Sequence, residues 1–201
     1  MYALMVNMKN KECVIVGGGK VALRKTSALL KEKANITIIS PEVCSELEKL
    51  GAEGEVKIVK RKAVDEDFTF AFYVIAATND EHINKKIAAK LEKTKLVNIA
   101  SSTTEGNCHV PASLQKGKLM LAVSTNGASP MLAKKIRDEW SSTYDDDFER
   151  YVDFLNEARQ TIKQLEFPAK HKRELLQEII DEKYKNSETL RNSFSTLLKS
   201  F

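Results

Sequence analysis

The stretch Cys13–Lys25, CVIVGGGKVALRK, decides the fold of this chain. A short apolar run ends in three glycines, and apolar residues then recur at helical spacing, which predicts a strand, a tight turn and a helix. Gly17, Gly19 and Ala22 fit G-x-G-x-x-A, in which the first glycine makes the turn, the second lets backbone approach a pyrophosphate and the small residue allows close helix packing. The helix N-terminus then offers free N–H groups to phosphate. A dinucleotide is therefore the leading ligand.

The N-terminal half continues by alternating strands with helices. ANITIIS, EVKIVKR and KLVNIAS predict further strands. FTFAFYVIAATND is apolar on both faces, as expected of a strand covered by helices on both sides, so we expect it in the middle of the sheet. The alternation implies parallel strands with right-handed crossovers. The predicted class is α/β, with a parallel-sheet Rossmann fold.

The pattern changes towards the C-terminus. KLMLAVSTNGASP predicts one more strand, followed by Ser129 as the N-cap and Pro130 as the first residue of a helix. Beyond Trp140 we expect three more helices and no strand. The acidic run 145–147 is interpreted as the start of a helix rather than a metal site, because carboxylates favour the positive end of the helix dipole.

Composition narrows the classes of function. The 201 residues include 32 basic and 28 acidic ones, and the positive excess lies before residue 145. A mild field of this kind suits an anionic small molecule better than nucleic acid, which favours a dense basic stripe. Cys13, Cys44 and Cys108 lack CxxC pairing, so we expect reduced thiols without a disulfide or structural zinc. Because no long apolar run is present, we expect a cytoplasmic protein that does not bind membranes.

The end of the second predicted strand bears on the choice of dinucleotide. The strand ends at Ser40, and the first acid, Glu42, lies beyond Pro41, so the usual ribose-binding carboxylate is missing. None of these three residues is a cation that could hold a 2′-phosphate, which favours NAD over NADP. Small residues in the stretch AATND, 76–80, leave room for the nicotinamide half, and a plain strand-to-helix turn is the alternative interpretation.

Four segments carry a resemblance to a known family: CVIVGGGKVALRK, VIAATND, LVNIASSTTEGNCHVPAS and LMLAVSTNGASPMLAKKIRDE. The chain resembles the precorrin-2 dehydrogenase and sirohydrochlorin ferrochelatase module of siroheme synthases. The resemblance implies oxidation of precorrin-2, a polycarboxylate tetrapyrrole, to sirohydrochlorin by NAD⁺ in siroheme biosynthesis. It also implies an intertwined homodimer that receives precorrin-2 from another protein and has transient contact with a separate chelatase or uroporphyrinogen methyltransferase.

The resemblance also assigns residues and regions. The expected cofactor-binding residues are Gly17, Gly18, Gly19, Lys20 and Val21 at the turn, Ser40, Pro41 and Glu42 near the ribose, and Ala76, Ala77, Thr78 and Asn98 near the nicotinamide. Ser124 and Thr125 are expected in the tetrapyrrole pocket, with a hydroxyl capping a turn as the alternative for Ser124. The expected regions are a NAD-binding Rossmann domain, a dimerisation and substrate-pocket region and a helical domain, at 1–107, 108–140 and 141–201.

One position departs from the family pattern. Bifunctional members carry an aspartate where this chain has Ser101, and a serine takes no proton at neutral pH without a partner base. Metal insertion needs the pyrrole protons removed, so we expect no efficient iron chelation, whereas hydride transfer rests largely on placing two reactants in contact.

The sequence leaves open the identity of the proton acceptor and two rival functions. Glu105 and His109 lie downstream of Ser101, and either could assist proton transfer, so we count all three with Ser124 as candidate catalytic residues. A bifunctional enzyme that uses Glu105 or His109 to insert Fe²⁺ is one rival, and a non-enzymatic regulator that senses NAD is another. The three histidines show no HExxH-type spacing, so no dedicated metal site is expected.

Overall fold

A computed structural model describes residues 1–102 and 105–201. These residues form two compact units, Met1–Val110 and Pro111–Phe201. The division into three regions at 1–107, 108–140 and 141–201 stays a prediction.

The first unit is a parallel five-stranded sheet with connecting helices. Its strands are β1 Glu12–Val16, β2 Asn35–Ile39, β3 Lys57–Val59, β4 Tyr73–Ala76 and β5 Leu96–Ile99. Its helices are α1 Lys20–Lys31, α2 Ser45–Ala52 and α3 Glu81–Leu91, with a short 3₁₀ helix at Asp65–Phe68. This architecture confirms the predicted α/β Rossmann class.

The strand order is β3-β2-β1-β4-β5, and every pair is parallel. The expectation that FTFAFYVIAATND forms the middle strand is wrong, because β1 holds the central place. β4 lies between β1 and β5, so it also has a neighbour on each side and is fully buried. The first part of the segment FTFAFYVIAATND, residues 68–72, is not a strand: Phe68 ends the 3₁₀ helix and Phe70 is exposed.

Side chains alternate between the two faces of this sheet. One face packs on α1 and α2 through residues such as Ile15, Ile38 and Leu47. The other packs on α3 through Val74 and Ile87, among others. The order reverses at β1, whose neighbours β2 and β4 connect in opposite directions, and a crevice opens at such a switch point outside the carboxyl ends of the strands.

The second unit begins with a β-hairpin that the sequence predicted only in part. β6 Ala112–Lys116 pairs antiparallel with β7 Leu119–Val123 in a separate two-stranded sheet. Helix α4, Pro130–Thr143, follows, and its N-cap Ser129 accepts a hydrogen bond from the Leu132 amide, which confirms the predicted start.

Four helices then complete the second unit, where three were expected. They are α5 Asp146–Gln164, α6 Ala169–Glu178, α7 Glu182–Lys185 and α8 Glu188–Lys199. The additional one, α7, is a single turn between longer helices. Their shared core consists of Tyr151, Phe154, Ala158, Ile162, Ile179, Tyr184, Phe194 and Leu198.

The acidic run at the start of α5 has structural partners. The run lies at the start of a helix, as the sequence predicted, and Asp145 caps that helix by accepting from the Phe148 amide at 3.0 Å. Asp147 pairs with Arg191 at 2.8 Å, and the Arg191 side chain is 4% exposed. Asp145 and Asp147 therefore stabilise the helical unit.

Candidate dinucleotide-binding site

The glycine turn between β1 and α1 is packed tightly on two sides. Gly17 has a φ of +125°, and a Cβ there would lie 2.3 Å from the Ala77 carbonyl oxygen. A Cβ on Gly18 would lie 2.0 Å from the Glu42 carbonyl oxygen. Gly17 also donates its amide to Ile39, at 3.0 Å. The turn therefore needs glycine at both positions to fit between the ends of β2 and β4.

Gly19 differs from the other two glycines because a Cβ there would meet no atom within 4 Å. It is the N-cap of α1, which has no side-chain cap and no acidic residue in its first turn. By contrast, α2 carries Glu46 and Glu48 in its first turn. An uncapped helix N-terminus beside open space is suited to a phosphate group, which the helix dipole and free N–H groups would attract.

A cavity of about 1100 Å³ opens at the carboxyl ends of β1 to β4. Its volume lies just above the usual range of about 300–1,000 Å³ for small-molecule and cofactor sites. The predicted residues that line it are Gly17, Gly18, Gly19, Ser40, Pro41, Glu42, Ala77 and Thr78. The cavity therefore brings together two thirds of the residues expected from the sequence.

The other four predicted cofactor residues lie outside the lining. Lys20 and Val21 are exposed on the first turn of α1, and Ala76 is buried in β4. Asn98 is 4% exposed in β5, where its amide nitrogen donates to the Cys108 carbonyl at 2.9 Å. Roles for these residues in dinucleotide binding stay predictions.

One wall of the cavity was not predicted from the sequence. It consists of residues from the connection after β3 and from α3, namely Lys62, Ala63, Asp65, Phe68, Ile83, Lys86, Ile87, Lys90 and Leu91. Asp65 and Lys90 form an ion pair that joins the two parts of this wall. Its apolar members suit a flat aromatic base, and its lysines add positive charge at the cavity.

The turn after β4 is held by a buried asparagine that sequence reasoning missed. Asn84 is 1% exposed, and its Oδ1 accepts from the Thr78 hydroxyl at 2.8 Å and from the Thr78 amide at 3.2 Å. Its Nδ2 donates back to the Thr78 carbonyl at 3.0 Å. Spacing could have found it, because Asn84 lies at helical intervals from Ile87, Ala88 and Leu91, the other buried residues of α3.

The candidate catalytic residues have ordinary surroundings. Ser101 is exposed just after β5. Glu105 forms an ion pair with Lys85 at 3.1 Å, and its side chain is 34% exposed. His109 is half-buried. In the second unit, the Ser124 hydroxyl accepts from the Asn126 amide at 3.1 Å, as in the capping alternative.

Two of the three thiols, those of Cys13 and Cys108, are poor nucleophiles. Burial raises the pKa of Cys13 to about 12 and also raises the pKa of Cys108. Because the thiolate is the reactive form, both cysteines stay unreactive near neutral pH. No cluster of three or more His, Cys, Asp or Glu side chains suited to a metal ion occurs within residues 1–102 and 105–201.

Among the described residues, no helix has both the length and the apolar character needed to cross a membrane.

The fold and the cavity define a NAD(P)-binding Rossmann protein, and residues 4–112 match an NAD(P)-binding family. Residues 116–139 match the family described as sirohaem biosynthesis protein central, and residues 148–194 match the SirC C-terminal domain.

Proteins with similar sequences cover most or all of this chain. The precorrin-2 dehydrogenase of Priestia megaterium is 37% identical over 100% of both chains, and that of Bacillus subtilis is 36% identical over 80% of this chain and 99% of the relative. The siroheme synthase of Thioalkalivibrio sulfidiphilus is 34% identical over 70% of this chain and 29% of that longer protein. A solved structure of SirC, a precorrin-2 dehydrogenase, covers 100% of both chains with a TM-score of 0.88 and 38% identity. The chain belongs to the precorrin-2 dehydrogenase family.

Proposed function

We propose that this chain catalyses the NAD⁺-dependent oxidation of precorrin-2 to sirohydrochlorin in siroheme biosynthesis. Full-length similarity to precorrin-2 dehydrogenases is the observation that carries the proposal. In the balanced reaction, precorrin-2 loses one hydride and one proton, and the products are sirohydrochlorin, NADH and H⁺. Bound NAD⁺ accepts the hydride, and the protein holds NAD⁺ and precorrin-2 in contact.

The residues of the cavity support this role. The amides at the start of α1 would hold the pyrophosphate beside Gly19, where open space lets it approach. The adenosine half would lie towards Ser40 and Glu42, and the nicotinamide half towards Ala77 and Thr78. The buried Asn84 fixes that second turn, so the nicotinamide would meet a rigid surface.

We assign NAD as the cofactor rather than NADP. The Glu42 carboxylate would disfavour a 2′-phosphate, and Ser40 and Pro41 offer it no charge. One observation favours NADP. Lys62 lines the same cavity and makes no ion pair with any described residue, so its charge could hold a 2′-phosphate. The ratio of kcat/KM for NAD⁺ and NADP⁺ decides between the two cofactors.

We also propose that the chain does not insert iron efficiently. Ser101 stands where bifunctional relatives carry the aspartate, and the nearby Glu105 already pairs with Lys85. Glu105 and His109 stay the candidate proton acceptors for dehydrogenation. Comparing kcat for Glu105→Gln and His109→Asn identifies which of them takes the proton.

We propose that the hairpin and α4 bind a second copy of the chain, so that the protein is a homodimer. The hairpin and α4 leave apolar side chains incompletely covered: Leu114, Leu119, Leu121 and Val123 are half-buried, and Met131 is 85% exposed. A dimer would bury such a surface. Light scattering should find a dimer, and Met131→Asp should weaken it without unfolding the protein, because Met131 makes few contacts of its own. A wild-type monomer would contradict the proposal.

Anaerobic turnover tests the function. Purified protein is mixed with precorrin-2 and either NAD⁺ or NADP⁺, and Fe²⁺ is added afterwards. We expect sirohydrochlorin to form with NAD⁺ and to persist after iron is added. Tight binding of NAD⁺ without any sirohydrochlorin would instead favour the regulator that senses NAD.

A further inference from the structure

The adenosine end of the cavity is built on an unusual segment. The second strand ends at Ser40 without the carboxylate that commonly holds the ribose. The connection after β3 reaches the cavity instead, where Lys62, Ala63 and Asp65 form part of the wall. The position of this connection therefore matters for dinucleotide binding.

A single ion pair closes this connection into a loop. Both guanidinium Nη atoms of Arg61 donate to the carboxylate of Asp67, each at 2.7 Å. Arg61 Nη1 also donates to the Lys62 carbonyl at 3.0 Å, and Asp67 accepts from the Val64 amide at 2.8 Å. Arg61 and Asp67 are therefore bonded to each other and also to the backbone of the segment between them.

The environment of the pair suits a fixed structural role. The Asp67 side chain is 11% exposed, so water competes weakly for it. The hydrogen bonds from Arg61 are the largest cause of a lowered pKa at Asp67, which keeps that carboxylate ionised near neutral pH. A two-bond fork between a guanidinium and a carboxylate also fixes orientation, which a lysine ammonium cannot do.

Neither member of the pair lines the dinucleotide cavity. Both line a separate cavity of about 480 Å³ that also contacts Phe70 and Val14. Arg61 and Asp67 therefore do not face the dinucleotide cavity, and any effect they have on the dinucleotide must pass through the residues between them.

We propose that Arg61 and Asp67 are positioning residues for the adenosine half of the dinucleotide. They hold the segment between them so that Lys62 and Ala63 face the ribose and base, in place of the missing carboxylate after β2. The inference rests on the proposed use of a dinucleotide, but it requires no particular tetrapyrrole.

The neighbouring residue provides a matched control. Lys60 makes an ion pair with Glu48 at 2.6 Å, and neither residue lines the dinucleotide cavity. Lys60→Met and Arg61→Met each remove one cation from an ion pair next to the same strand. Only the second change removes the bonds that enclose the cavity wall.

The experiment measures binding of NAD⁺ and of ADP-ribose by calorimetry, together with steady-state turnover. For Arg61→Met we expect Kd for both ligands to rise by the same factor, about tenfold. We expect kcat at saturating NAD⁺ to change by less than about twofold, since the nicotinamide end is held elsewhere. Lys60→Met should leave Kd unchanged, and Arg61→Lys should give an intermediate Kd because it keeps the charge without the fork.

The outcomes separate this inference from the proposed function. Unchanged Kd in a folded Arg61→Met protein, or an equal rise in Lys60→Met, would overturn the inference. If Arg61→Met does not fold, Asp67→Asn replaces it, since the amide keeps the shape and can still accept from Val64, and wild-type Kd in Asp67→Asn would overturn the inference equally. Failure to turn over precorrin-2 would contradict the proposed function and leave these binding results interpretable.

Discussion

Substitution by alanine should have different effects at two adjacent glycines: at Gly18 it should lower stability, and at Gly19 it should lower the affinity for the dinucleotide. In Gly18→Ala the new methyl group would lie 2.0 Å from the Glu42 carbonyl oxygen and 2.8 Å from the Val43 Cα, both backbone atoms that cannot swing away. We expect a loss of stability of about 3 kcal/mol, the upper end for overpacking. In Gly19→Ala the methyl group meets no protein atom within 4 Å. The backbone there, at φ −91° and ψ −170°, is open to alanine.

Gly19→Ala should therefore fold normally and bind the dinucleotide poorly. Stability should stay within about 0.5 kcal/mol of wild type, because reduced freedom of the unfolded chain offsets the weaker N-cap. The methyl group occupies the space through which pyrophosphate would reach the amides of α1. Losing hydrogen bonds to a charged group costs about 1.5–3 kcal/mol, or about 10- to 150-fold in Kd.

Urea unfolding without ligand and calorimetry with NAD⁺ measure the two effects. Wild-type affinity in a folded Gly19→Ala protein would refute the assignment of this space to pyrophosphate. Wild-type stability in Gly18→Ala would refute the close packing of the turn on the loop after β2.

Three further predictions concern other parts of the chain. Asn84→Ala removes the bonds that hold the turn at Thr78, so urea unfolding should show a loss of about 1–3 kcal/mol and calorimetry a weaker affinity for NAD⁺; full stability would contradict this role. The hydrogen bond from Arg191 is the largest cause of a lowered pKa at Asp147. The pair should therefore stabilise the protein above the unfolded pKa of about 3.9 and lose this effect as the pH falls through the lower folded pKa. A difference in urea midpoint between wild type and Asp147→Asn that persists in strong acid would contradict this. Ser101→Asp should raise insertion of Fe²⁺ or Co²⁺, followed by the absorbance of the metallated product, and no gain would mean that more than this side chain is missing.

The sequence predicted the parts of the site that depend on local backbone geometry. Gly17 signals a sharp turn and Gly19 a close approach of the backbone to a ligand, and the helical spacing that follows signals α1 directly. Ser129 was likewise identified as an N-cap, and the acidic run 145–147 as the start of a helix, since both signals involve groups only a few residues apart along the chain.

Contacts between distant segments could not be predicted in the same way. Lys62 and Lys90 line one cavity because the connection after β3, an edge strand, leads across the sheet to β4 and contacts α3 through the Asp65–Lys90 ion pair. The β6–β7 hairpin was half missed, since ASLQK in β6 has few β-branched or aromatic residues to mark a strand. The Arg61–Asp67 pair was not distinguishable from ordinary surface charge, because its significance lies in the cavity wall it encloses.

The most direct test of the central claim is the stoichiometry of the reaction under anaerobic conditions. NADH and sirohydrochlorin are measured together while wild-type protein acts on precorrin-2 with excess NAD⁺, and Gly19→Ala serves as the control. The account predicts equal amounts of the two products from the wild type, and a much lower rate from the control at limiting NAD⁺. Sirohydrochlorin formed without matching NADH, or no product at all from a protein that binds NAD⁺, would contradict it.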